Sequence, residues 1–218
     1  EVLDGAGGGN RVSAARLTDP AADGGKVTPG MIAEVENTRG DTPLFMVFGW
    51  QDPLDDALAA LGYTIRDETV MLAAPIADIA EPPPPVSCFE VWPPLAVQEE
   101  LWAEGDIGPE RLAVMDRAAG PKTALFGRIN DRPAGTAFMA VHEKTAMLHA
   151  LEVTPAARRQ GLARIMVQAA AHWARDHGAD RLGVLVTREN AAAQALYASL
   201  GLARVGTYHY RAQPQADG

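Results

Sequence analysis

The chain reads as an α/β (α+β) protein on three observations. A helix-period apolar stripe, Leu162, Ile165, Met166, Ala169, Ala170 and Trp173, follows closely on a strand-like segment at 146–153. A second strand-like run at 182–186 leads into another helical pattern ending at Leu200. Upstream, strand-like segments at 124–129, 135–142 and 146–153 are divided only by short turns at 130–133 and 143–144, which suits an antiparallel meander.

The bulk numbers narrow the function. The chain's 218 residues can bury a core as one large domain or two small ones. Hydrophobic residues at 47% and charged residues at 22% are ordinary for a globular protein. A formal charge of −9 argues against a nucleic-acid partner and mildly favours a cationic or amine partner. No apolar run approaches the roughly 18 residues that span a bilayer, so no membrane partner is expected. The start shows no secretory signal pattern. Cys88 is alone, which excludes an internal disulfide and a CxxC motif and fits a reduced, cytoplasmic setting.

Taken in order, the N-terminal elements are a strand at 9–17, a loop carrying Gly24 and Gly25, and a helix at 29–38. Pro29 suits the first helical position after Thr28. The apolar run 44–48 predicts a buried strand, 55–61 a helix stopped by Gly62, and 69–74 a further strand. The glycine run at 5–9 lacks the Lys-Ser/Thr of a phosphate loop and the spacing of a dinucleotide fingerprint, so it reads as a flexible or hairpin glycine run. Four consecutive prolines at 82–85 cannot donate backbone hydrogen bonds and continue neither a helix nor a central strand. They predict a linker between an N-terminal half, 1–81, and a second domain, 86–218.

The second domain opens with a strand at 87–92 and helices at 95–103 and 109–118, then the meander. The striped helix has Arg175 and His177 in its last turn and Gly178 as its stop. Asn190 caps the last helix, which Gly201 ends. An internal repeat is visible: ALAALG from Ala57 matches LYASLG from Leu196 at an offset of 139 residues, each ending a helix before a strand.

The segment LHALEVTPAARRQGLARIMV joins strand to helix through an arginine-rich loop. A helix start offers unpaired N–H groups and partial positive charge. Gly161 lets backbone approach a ligand and Ala163 is small enough to do so again, while Arg158, Arg159 and Arg164 add charge. An anionic diphosphate is the natural guest. A solvated basic helix start with a packing glycine is the plainer alternative.

The flanks favour the ligand. Val153-Thr154-Pro155 followed by Arg158-Arg159-Gln160-Gly161-Leu162-Ala163 resembles the signature loop of the GCN5-related N-acetyltransferase (GNAT) superfamily, with Arg158, Gly161 and Ala163 at its pattern positions. Asn190-Ala191 and the run ALYASLGL from Ala195 resemble the second family block. The likeness covers 124–211 well and 86–123 loosely. It implies a GNAT fold: a mixed, mostly antiparallel sheet with flanking helices. The smaller N-terminal half resembles the degenerate half of two-part members. It has Leu58 where the second copy has Tyr197 and no counterpart of RRQGLA, so it is expected to shape a substrate cleft rather than bind cofactor.

What the resemblance implies for chemistry is acetyl-CoA-dependent transfer of acetyl to a primary amine of a small molecule or peptide, by direct attack. Leu151 and Val153 would pair with pantetheine like an added strand, and the Val153 N–H would support the oxyanion. Arg158, Arg159, Gln160, Gly161, Leu162, Ala163 and Arg164 would hold the pyrophosphate. Asn190 would touch CoA, and Tyr197 would protonate the departing thiolate. Many members carry a glutamate where this chain has Leu185, so the proton acceptor is open between Glu152, His149 and a water relay. Strand alternation puts Glu152 and Val153 on opposite faces unless a bulge intervenes. A non-catalytic CoA- or ligand-binding protein and a transferase of a longer acyl group are the other readings. His142, His172, His177 and His209 show no zinc-site spacing and there is no HExxH, so no metal is expected. The chain is expected to act as a monomer or homodimer.

Overall fold

A computed structural model describes residues 1–18, 27–39 and 43–214. The predicted loop at Gly24 and Gly25 lies outside these. The chain divides into two units: Glu1–Val70 with Thr187–Glu189 and Gly206–Gly218, and Met71–Val186 with Asn190–Val205. The division falls inside a strand rather than at the prolines, which form no helix or strand and lie within the second unit. The C-terminal strand joins the first unit from Gly206 on, and residues 208–212 pair there with residues 44–48.

In the first unit, α1 (Asn10–Ser13) and β1 (Ala15–Arg16) replace the single strand expected at 9–17. Gly9 at φ 97° breaks the extended run, and Ala14 N bonds to Asn10 O at 2.8 Å, closing a helical turn. The glycines before it form a turn, with Gly8 N bonded to Gly5 O at 2.9 Å. Helix α2 (Pro29–Arg39) and strand β2 (Leu44–Phe48) stand where the sequence puts them. Helix α3 (Asp52–Ala60) starts earlier than predicted, since Pro53 suits a first helical turn. Strand β3 (Thr64–Pro75) is longer than its apolar part, Val70, Leu72 and Ala74, because its first residues are exposed. β2 pairs parallel to β1 and antiparallel to β9 (Ala203–Ala212). Phe45, Val47, Ile32, Leu54, Leu58 and Tyr63 form this unit's core.

In the second unit, β4 (Cys88–Val91), α4 (Ala96–Glu104) and α5 (Pro109–Arg117) precede the meander β5 (Lys122–Ile129), β6 (Arg132–His142) and β7 (Thr145–Val153). Helix α6 (Leu162–Asp176), strand β8 (Arg181–Thr187) and helix α7 (Ala191–Ser199) follow. β4 to β7 pair antiparallel in sequence order and β8 runs parallel to β7, a mixed sheet flanked by helices. The stripe predicted on α6 is its core face: Leu162, Met166, Ala169, Ala170 and Trp173 are buried, each large side chain contributing roughly 1.5–3 kcal/mol. Glycines at 127 and 135 admit this helix. A methyl group at Gly127 would lie 2.7 Å from the Met166 sulfur, and one at Gly135 3.0 Å from it.

The repeat has a structural counterpart. α3 and α7 are both nine-residue helices at the same offset. Each closes the same way: Tyr63 N bonds to Leu58 O at 3.0 Å, and Leu202 N to Tyr197 O at 3.1 Å. Gly62 and Gly201 take φ 85° and 84°, the left-handed geometry of a helix stop. Among the described residues no helix is long and apolar enough to cross a membrane.

Candidate functional site

All the residues that the sequence singles out for chemistry lie in the second unit. β7 and β8 pair only from Thr145↔Arg181 to Leu148↔Val184, although β7 runs on to Val153. Among the described residues no strand therefore pairs with the β7 edge facing β8 beyond Leu148, where the Val153 carbonyl accepts instead from Arg158 Nε at 3.1 Å. Thr154 N donates to Ala134 O at 2.9 Å on the β6 side. Alternation along the strand then turns the Val153 N–H and C=O to the open edge.

A bulge interrupts β7 just before this point. Phe138 pairs with His149 and Thr136 with Glu152, so the single Ala137 faces both Ala150 and Leu151. Ala150 takes φ 51°. Because Thr136 and Phe138 share a face of β6, their partners Glu152 and His149 also share one. The two candidate proton acceptors thus look to the same side, while Glu152 and Val153 remain on opposite faces. The ring of His149 lies 6.5 Å from that of Phe138 at 27°. The Trp102 indole N–H donates to Ala150 O at 2.8 Å, fixing the bulge.

Glu152 is half-buried, and burial raises its carboxyl above the ordinary carboxylate range, against the opposing pull of Arg158 and Arg111. Tyr197 is buried on α7, and burial with the nearby Glu152 charge pushes its hydroxyl to about 12. It stays protonated at neutral pH and can donate. Leu185 is half-buried on β8.

The loop after β7 is a short 3-10 turn, Pro155–Ala157, followed by Arg159 at φ 64° and Gly161 at φ 85°. Among the described residues no side chain caps the start of α6, so the first N–H groups of that helix are left for a ligand or solvent. A methyl group at Gly161 would meet nothing within 4 Å. Arg158 Nε donates to Val153 O at 3.1 Å and Gln160 Nε2 to Ala156 O at 2.8 Å, bracing the loop. Arg164 reaches Ser199 Oγ on α7 at 2.7 Å. The Asn190 side chain accepts from Ala193 N at 3.0 Å, so it caps α7 as predicted. A glycine cradle, an uncapped helix start and two exposed loop arginines fit a diphosphate.

Sequence reading misses Trp102, Gly105 and Arg111, which border Glu152 or its bulge. Gly105 looks like a plain helix stop, and nothing in the pattern pairs these helices with β7. Among the described residues no group of three or more His, Cys, Asp or Glu side chains could hold a metal ion.

Comparison with known proteins bears on the family and the fold. The model of the acetyltransferase (GNAT) family matches residues 75–202. The chain is 28% identical over 173 residues to the uncharacterized N-acetyltransferase YobR of Bacillus subtilis (strain 168), covering 72% of this chain and 67% of that protein. Its fold is similar to that of a GCN5-related N-acetyltransferase from Kribbella flavida, with TM-score 0.62, 19% identity, and 86% and 74% of the two chains covered. It is similar also to a tandem GNAT protein from the clavulanic acid biosynthesis pathway, with TM-score 0.60, 15% identity, and 81% and 65% covered.

Proposed function

The chain belongs to the acetyltransferase (GNAT) family, and from that premise we propose that it transfers acetyl from acetyl-CoA to a primary amine of a small molecule or peptide. The observation that carries this reading is the meeting, in one unit, of the open β7 edge at Val153 with the uncapped, glycine-led start of α6. One supplies strand-like pairing for an extended amide chain, the other a seat for its diphosphate end.

Acetyl-CoA supplies the activated thioester. The protein's part is to orient it and to handle protons. Leu151 and Val153 offer the pairing edge, and residues 158–164 grip the diphosphate, with Asn190 adding a contact beside α7. The Val153 N–H, turned to the open edge, is the donor for the thioester carbonyl oxygen. An amine attacks only when neutral, so a proton acceptor must face it. Glu152 fills that role with a carboxyl raised by burial, and His149 shares its face. Tyr197, protonated, returns a proton to the sulfur.

A second reading, a CoA-binding protein without turnover, draws on Leu185 standing where many members carry a glutamate. We also infer that the first unit is a degenerate copy without a cofactor loop. The shared geometry of α3 and α7 supports that view, as does Leu58 in the place of Tyr197. CoA release across a panel of primary amines, for wild type and Tyr197→Phe, tests the proposal. Turnover in the wild type that falls roughly tenfold or more in the variant supports it. Tight CoA binding without turnover on any amine favours the second reading. The mass of the acyl-CoA that co-purifies separates acetyl from longer chains.

A further inference from the structure

Gly105 closes α4 with φ −99° and ψ 22°, a conformation open to any L-residue, so its backbone does not call for glycine. Its surroundings do. A methyl group there would lie 2.8 Å from Glu152 Cδ, 3.0 Å from Cγ and 3.2 Å from Oε1. The bare Cα leaves the volume that the Glu152 side chain occupies. About one turn earlier stands Trp102, fully buried with Ile107, Met115, Ala124 and Phe138. Its indole holds the Ala150 carbonyl at the bulge. The end of α4 is thus tied to β7 at two points, one fixing the bulge and one receiving the carboxyl that follows it.

We infer that Gly105 is a positioning residue for Glu152, with Trp102 as the anchor that holds the bulge in register, a role that rests on the reading of Glu152 as proton acceptor. An alanine at 105 does not strain the backbone and narrows the unfolded ensemble, so the fold is not weakened. The flexible carboxyl yields instead. It leaves its half-buried place for solvent and loses its alignment with the amine.

The test is the titration of the Glu152 carboxyl, followed by its ¹³C resonance, in wild type and Gly105→Ala, with melting temperature and turnover on the best amine of the panel. Burial is the first cause of its raised position. The variant should therefore titrate nearer the ordinary carboxylate range, at an unchanged or higher melting temperature. Turnover should fall roughly tenfold to hundredfold, the scale of a misplaced catalytic group. In a Glu152→Ala background the second substitution should cost nothing further. A midpoint that stays at its wild-type value overturns the inference whatever turnover does. If Glu152→Ala keeps wild-type turnover while Gly105→Ala still moves the midpoint, the positioning stands and the proton-acceptor reading fails.

Discussion

Arg158 Nε donates to the Val153 carbonyl at 3.1 Å, folding the first arginine of the loop back onto the strand end that precedes it. The same guanidinium lowers the Glu152 carboxyl against the effect of burial, so one cation braces the proposed cofactor loop and acts through its charge on the acid that precedes it.

Replacing Arg158 with alanine should weaken CoA binding about tenfold, the loss of one charge-assisted contact. It should also let Glu152 titrate higher, since a neighbouring positive charge is gone. Calorimetric titration with CoA checks the first effect, and an unchanged dissociation constant would contradict it.

As the proposed acceptor, Glu152 works only when ionised. Its raised carboxyl therefore places the acid limb of the rate–pH profile above the ordinary carboxylate range of about 4.3. Glu152→Gln should abolish that limb along with most of the turnover. A carboxyl raised on folding favours the folded state below its unfolded pKa and loses that advantage as pH rises through the folded one. At neutral pH the glutamine variant should thus be as stable as wild type or more so, by thermal melting.

Asp55 on α3 accepts from Arg211 Nε and lies against His209 Nε2, both at 2.7 Å. The Arg211 bond, aided by His209, holds the carboxyl below its usual value against partial burial. Arg211 also donates to Tyr63 O at 2.8 Å, tying β9 to the helix stop. Asp55→Asn should cost about 1–2 kcal/mol in denaturant unfolding at neutral pH. The sign is that of a depressed acid: the contribution is present above the unfolded value near 3.9 and fades as pH falls through the lower folded one. A loss that did not fade in acid would contradict the pairing.

The glycines under α6 should differ in their tolerance of alanine. At Gly127 the added methyl meets mainly the flexible ends of Met166 and Leu162, but at Gly135 it also lies 2.9 Å from the Glu152 backbone oxygen. Overpacking of this kind costs roughly 1–3 kcal/mol. Gly135→Ala should sit at the upper end and Gly127→Ala at the lower, a ranking that paired unfolding curves measure.

These cases mark what the sequence makes legible. Local period and punctuation give α6 with its core stripe, the uncapped start at Gly161, the Asn190 cap and the stop at Gly201. They do not give the β7 bulge, because Ala150 at φ 51° carries no special residue type. Its cause is tertiary: a tryptophan on α4, 48 positions away, holds the carbonyl. The contact of Gly105 with Glu152 is equally non-local. The strand expected at 9–17 fails for a local reason, one glycine at positive φ followed by a helical turn. Long-range pairs such as Asp55 with Arg211 leave no periodic trace.

The melting temperature with and without CoA, in wild type and Gly161→Asp, tests whether a CoA diphosphate sits at the start of α6. At CoA about a hundredfold above its dissociation constant, binding adds about 2.7 kcal/mol, a shift of several degrees. Aspartate tolerates the left-handed backbone better than most residues, yet it sets a carboxylate into the open space at this turn. A diphosphate seated at this turn gives a clear rise for wild type and none for the variant. No rise in the wild type, or an equal rise in both, would contradict it.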